Sequence, residues 1–227
     1  MASMRNPGYI VVEGPIGVGK TTLAQRLAAT LKTDPLLEQA AENPFLPRFY
    51  QEPEASALPT QLHFLFQRAR QIESLRQTDM FRQARVADFL IQKDRLFAEV
   101  TLSAAELELY YQVYNHLTLE APVPDLVIYL QASVDTLLKR VHERGIDYEQ
   151  NINAAYLQRV ADAYINFFYH YNEAPLLIVN TEDFNLASGS DDFNLLLNHI
   201  RELPPGRHFF NPQSLSIFNR AAYEHGL

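Results

Sequence analysis

The stretch Tyr9–Ala28, YIVVEGPIGVGKTTLAQRLA, decides the fold. Its opening, YIVVEG, is an apolar, β-branched run of the kind that forms a strand covered on both faces. Gly14-Pro-Ile-Gly17-Val-Gly19-Lys20-Thr21 then matches G-x-x-x-x-G-K-[ST], and the residues from Thr21 onward have helical spacing. Strand, glycine turn and helix in that order make a phosphate-binding loop. Gly14, Gly17 and Gly19 let backbone N–H groups approach phosphate oxygens, and the helix that opens with Thr21 and Thr22 aims its positive end at the anion. Lys20 is placed to reach the β- and γ-phosphates and Thr21 to ligate Mg²⁺. The loop calls for ATP·Mg²⁺ or a similar nucleotide. It leaves open whether that nucleotide drives a motor, sets a switch or donates a phosphoryl group.

Outward from this stretch, short apolar runs alternate with longer helical patterns. Arg85–Leu90, Asp125–Leu130 and Pro175–Asn180 read as further buried strands, and Asp34–Gln39 as a weaker one, five in all with the first. Helices are expected over Ala57–Leu75, with Pro59 in its first turn, over Ser103–Leu117, Ala132–Arg144 and Asn153–Tyr171. Ser103 followed three residues on by Glu106 is a capping-box signature. Alternating β and α place the chain in the α/β class, with a five-stranded parallel sheet flanked by helices. Residues 1–227 read as one domain, with no internal repeat. The stretch from Pro204 matches no core pattern, and the tail from about residue 211 reads as mobile.

Composition narrows the partners. A formal net charge of −8 argues against broad binding to nucleic acid or to an anionic membrane. With no cysteine there is neither a disulfide nor a thiolate metal site. The N-terminal MASMRNPG lacks the apolar core of a signal peptide, so a cytoplasmic location is the expectation.

Glu38 falls at the end of the second strand, where ligands sit in open α/β sheets, and a carboxylate there is placed to accept a proton from an attacking hydroxyl. On the residues alone, a solvated loop acid is the alternative.

Taken together, EGPIGVGKTT, the acid and ENPFLPRFY that follow, a Gln and an Arg on the next long helix, VADFLIQKDRLFA and PDLVIYLQAS…RVHERGIDYEQ resemble the deoxynucleoside kinases, most of all their bacterial deoxyadenosine/deoxyguanosine branch. The resemblance runs from about Tyr9 to about Phe210. It implies a phosphate-loop kinase fold with a lid over about residues 140–153, and transfer of the ATP γ-phosphoryl group to the 5′-hydroxyl of a deoxynucleoside, purines favoured. It also implies roles. Glu38 becomes the base for the 5′-hydroxyl, and Tyr50 and Glu149 clasp the sugar 3′-hydroxyl. Gln61 pairs with the base through an amide that both donates and accepts. Arg68, two helical turns further on the same face, reaches the base or a neighbouring carboxylate, and Phe64 stacks on the base or fills the core. Asp88 joins Thr21 at the metal. Arg140 and Arg144, four apart on the lid helix, neutralise the transferring phosphoryl group. The loop after the fifth strand, from Asn180 into the 190s, cups the donor adenine. A homodimer joined through helices like Ala57–Leu75 and Ser103–Leu117 is implied as well.

The chain departs from the family pattern twice. Where the family carries an arginine after the acid, Phe89 and Leu90 stand here, and Lys93, one helical turn on, is the candidate replacement. In the lid, Ile146 occupies the place of a later arginine.

Competing functions are separable. A kinase for nucleoside monophosphates needs extra basic residues for the acceptor phosphate, whereas Tyr50, Gln61 and Glu149 suit an uncharged nucleoside. A GTPase switch calls for a guanine-reading motif with lysine, absent from NTED at Asn180–Asp183. A motor calls for a partner-facing arginine finger. A non-catalytic relative would have lost Lys20, Glu38 or Asp88, and all three are present.

Overall fold

The computed structural model describes residues 8–78, 84–117, 121–184 and 191–212. Six parallel strands form one sheet: β1 (Tyr9–Glu13), β2 (Pro35–Leu36), β3 (Arg85–Ala87), β4 (Leu126–Gln131), β5 (Leu176–Asn180) and β6 (Arg207–Phe210). Their order across the sheet is β2-β3-β1-β4-β5-β6. From β1 the chain goes first to the edge strand β2, returns to β3 beside β1, then crosses to lay down β4, β5 and β6 on the other side. The crevice beyond the C-terminal end of β1 is thus the topological switch point, where open α/β sheets bind their ligands.

The central strands are buried because nothing in them is polar until their ends. β1 runs in register with β3 (Val11 beside Ala87) and with β4 (Val11 beside Val127, Glu13 beside Tyr129). Helix α7 (Ala154–His170) covers one face, its Tyr164 and Phe168 stacked with Tyr129. Asn153 caps that helix by accepting from the Tyr156 N–H at 2.9 Å. Helix α1 (Lys20–Leu31) buries Leu23, Ala24, Leu27 and Ala28 against the sheet.

Several expected boundaries shift. The sixth strand, β6, lies in the stretch from Pro204 that reads as patternless. As an edge strand it needs only one apolar flank, and Arg207 and Phe209 remain exposed. β3 ends at Ala87 instead of Leu90. Phe89, Leu90 and Ile91 are buried without being strand, because the chain leaves the sheet at Asp88. β2 is reduced to two residues for the same kind of reason: Glu38 turns its N–H onto the Asp88 carboxylate at 2.7 Å. Helix α2 (Leu46–Gln51) is followed after one residue by α3 (Pro53–Thr78), which begins four residues before Ala57. Pro53 is therefore the first-turn proline, and Pro59 lies inside the helix. Helices α4 (Lys93–Thr101) and α8 (Asp191–Glu202) add to those expected from the sequence. Helix α5 (Ala104–His116) carries both hydrogen bonds of the Ser103–Glu106 capping box, and α6 spans Val134–Arg144. The tail beyond residue 212 and residues 185–190 of the adenine loop lie outside the described residues.

Candidate active site

The loop between β1 and α1 has the backbone its glycines require. Gly17 adopts φ 84°, and a Cβ there would stand 2.7 Å from the Leu137 carbonyl oxygen; at Gly14 it would stand 2.5 Å from that of Leu130. The loop is thus wedged between β4 and α6 with no room for a side chain. The Lys20 ammonium folds back over it, donating to the Gly14 and Pro15 carbonyls at 2.8 and 3.1 Å. Burial, reinforced by the nearby Lys93 charge, pushes Lys20 down to about 8.

Two cavities meet at this loop. One, of about 720 Å³, is lined by Gly17, Gly19, Lys20, Thr21 and Thr22, by Arg140 and Arg144 of α6, and by Glu182–Phe184 beyond β5. The other, of about 290 Å³, contains Glu38, Tyr50, Gln61, Phe64, Arg68, Asp88, Lys93 and Glu149. Gly17, Lys20, Thr21 and Arg144 line both. Every residue expected on the acceptor side is thus gathered in one place from six segments of chain.

The smaller cavity is organised by charge. The Arg68 guanidinium forks, one nitrogen to Asp94 and the other to Glu38. Lys93 donates to the second Glu38 oxygen at 2.8 Å. Burial acts to raise the Glu38 carboxyl, but Arg68 and then Lys93 outweigh it and hold the group well below the usual carboxylate range. Behind Arg68, burial raises Asp94 to about 6. Lys93, a surface residue on composition alone, is only 4 % exposed. Gln61 is buried in the cavity wall. The Arg68 guanidinium lies 5.0 Å from the Phe64 ring centroid.

The lid closes one wall. Arg144 pairs with Glu149, and Tyr148 stacks on Tyr50 with ring centroids 6.3 Å apart and planes 7° off parallel. Ile146 lines the same cavity. Arg140 points elsewhere: it donates to the Thr181 hydroxyl and carbonyl, binding the lid helix to the end of β5. Glu182 adds to that tie by accepting from the Ser133 N–H and hydroxyl, both at 2.7 Å, at the start of α6.

A metal has a natural seat. The Thr21 hydroxyl donates to Asp88 at 2.6 Å, so two hard oxygens stand side by side where the cavities join. Among the described residues no three His, Asp or Glu cluster to hold a metal unaided. Two protein oxygens fit Mg²⁺, which retains waters and shares its shell with phosphates.

Glu13, Asp94, Tyr148 and Glu182 were not picked out in the sequence. Only Glu13 left a signal there, a carboxylate closing an otherwise apolar strand.

The deoxynucleoside kinase family profile matches residues 10–204. A deoxyguanosine kinase of Bacillus subtilis (strain 168) is 34% identical over 207 residues, covering 88% of this chain and 99% of its own. A deoxyadenosine/deoxycytidine kinase of the same organism is 27% identical, covering 84% and 90%. Among solved structures, a deoxyadenosine kinase from M. mycoides with products dCMP and a flexible dCDP bound superposes with a TM-score of 0.75 at 21% identity, over 86% of this chain and 100% of that one. The chain belongs to the deoxynucleoside kinase family.

Proposed function

We propose that the protein transfers the γ-phosphoryl group of ATP to the 5′-hydroxyl of a purine deoxynucleoside, in nucleotide salvage. The observation that carries this reading is the junction of the two cavities, where a phosphate loop shared by both adjoins a small pocket lined by the Glu38 carboxylate. The names of the relatives favour deoxyguanosine and deoxyadenosine as acceptors.

ATP lies in the larger cavity, its phosphates over the loop. Lys20 leaves the Gly14 and Pro15 carbonyls to meet the β- and γ-phosphates. Thr21 and Asp88 would hold Mg²⁺, which would offset the negative charge of those phosphates. The nucleoside fills the smaller cavity, its base against Gln61 and Phe64 and its sugar between Tyr50 and Glu149. Glu38, held ionised by Arg68 and Lys93, accepts the 5′-hydroxyl proton. So weak a base suits phosphoryl transfer, in which the transition state is loose and catalysis is mostly positioning and charge stabilisation. Lys93 supplies the cation that Phe89 and Leu90 do not, and Arg144 adds a second from the lid. Arg140 holds the lid helix in place and meets the donor from the larger cavity.

The charge pairing favours an uncharged acceptor. Arg68 is engaged by Glu38 and Asp94, Lys93 by Glu38 and Glu13, and Arg144 by Glu149. A monophosphate acceptor would meet carboxylates before it met a free cation.

The protein acts in the cytoplasm as a homodimer. Support for the dimer comes from a second core between α3 and α5, around Leu65 and Tyr110, beside which Phe66 and Leu109 stand 45 % and 47 % exposed. The test of function is a phosphorylation assay with ATP and Mg²⁺ across the four deoxynucleosides, with ribonucleosides and dTMP as controls. Turnover is expected with deoxyguanosine or deoxyadenosine; activity on dTMP alone would move the protein to the monophosphate kinases.

A further inference from the structure

Glu13 closes β1 and is completely buried. A carboxylate removed from water is costly unless its oxygens are hydrogen-bonded and a cation stands by. Glu13 has both. Its Oε1 accepts from the Gly14 N–H at 3.0 Å and from the Tyr164 hydroxyl at 2.8 Å, and its Oε2 accepts from the Leu90 N–H at 2.7 Å. The Lys93 ammonium lies 3.9 Å from Oε1. One side chain thus joins the first amide of the phosphate loop, the chain leaving β3 and the helix beneath them. It lines neither cavity, so any effect on the reaction passes through a neighbour.

That neighbour is Lys93. Its other partner, Glu38 at 2.8 Å, faces the acceptor cavity and becomes neutral on taking the hydroxyl proton. The remaining carboxylates nearby are engaged: Asp94 with Arg68, and Asp88 with Thr21 and the Glu38 N–H. The surrounding cations, Lys20 and Arg68, repel the ammonium. Glu13 is therefore the carboxyl group that stays beside Lys93 both before and after proton transfer.

We propose that Glu13 is the positioning residue for Lys93: it anchors the ammonium to the start of the phosphate loop, so that the charge stays on the transferring phosphoryl group when Glu38 turns to the acceptor. This role rests on the kinase reading above and adds to it a residue that touches no substrate.

A double-mutant cycle tests it. Glu13→Gln keeps the size of the side chain and removes its charge. Its kcat is expected to fall about 10- to 100-fold, with both KM values held within about threefold. In a Lys93→Met background the same substitution is expected to cost less than about threefold in kcat, because the group it acts through is gone. A role confined to holding the fold would lower the melting temperature and multiply with Lys93→Met. An unchanged kcat, or losses that multiply, would overturn the proposal. Should Glu13→Gln fail to fold, Glu13→Asp, which keeps the charge at a shorter reach, is carried through the same cycle and read by the same criterion. A wild-type protein inert towards every deoxynucleoside would overturn the reaction itself and this role with it; an active one with a multiplicative cycle would remove the role alone.

Discussion

At the scale of single residues, the site is a set of buried charges that compensate one another. Glu38, Arg68, Lys93 and Asp94 lie within one another's reach; the first three line the smaller cavity, and Glu38 is the least buried of the four. Glu38→Gln is expected to bind nucleoside with nearly wild-type affinity and to lose about 100-fold or more in kcat, read by calorimetry and steady-state kinetics. The same substitution removes the anion shared by Arg68 and Lys93, and is expected to cost about 2 kcal/mol of stability at pH 7. The sign with pH follows from the depressed Glu38 group. Its stabilisation is complete above the ordinary value of 4.5 and is lost as pH falls from there through the folded value. Denaturation at pH 7 and pH 3 should therefore show the gap between wild type and variant shrinking in acid. Lys93→Met is expected to reduce turnover far more than it lowers the melting temperature, and unchanged turnover would dispose of its role. Lysine in a chain read alone is a surface residue by default; four segments of backbone had to converge before it became an interior cation.

At the scale of elements, the phosphate loop and the lid owe their shapes to what they press against. The glycine pattern was legible because the motif is local. The reason Gly17 admits no side chain was not, since Leu137 lies on another helix. Gly17→Ala places a Cβ against that carbonyl at a positive φ, and is expected to cost about 1–3 kcal/mol and to raise the KM for ATP, checked by thermal melts and kinetics. Helix α5 offers a contrast. Its capping box was read correctly from Ser103 and Glu106, since a cap involves only neighbours in sequence. Ser103→Ala is expected to lower stability by about 1 kcal/mol and to leave kcat unchanged. The misread boundaries share a cause. An apolar run such as Phe89–Ile91 is buried whether or not it is strand, and periodicity cannot tell where a chain leaves its sheet. A proline at 53 and another at 59 are equally good helix openers until the packing of α2 against α3 selects the first.

At the scale of the whole molecule, the strand order makes the site. β1 is flanked by β3 and β4, so the ends of three strands deliver Glu13, Asp88 and Gln131 to one rim, with the phosphate loop rising from the middle. The outer face of α3 and α5 presents Phe66 and Leu109 to solvent. Leu109→Glu is expected to convert a dimer into a monomer in sedimentation experiments, with the melting temperature falling as the second core loses its cover. The sequence by itself determined the parallel α/β class, the phosphate loop and, through resemblance, the family and the set of residues that the fold gathers around the smaller cavity. Each of these is carried by local pattern or by motifs in fixed order. Only the tertiary structure decided the sixth strand, the burial of Lys93, the fork of Arg68 onto Glu38 and Asp94, and the bonds of Glu13 to Leu90 and Tyr164. Those are contacts between residues far apart in the chain, and their energies depend on burial and distance, which no linear spacing encodes.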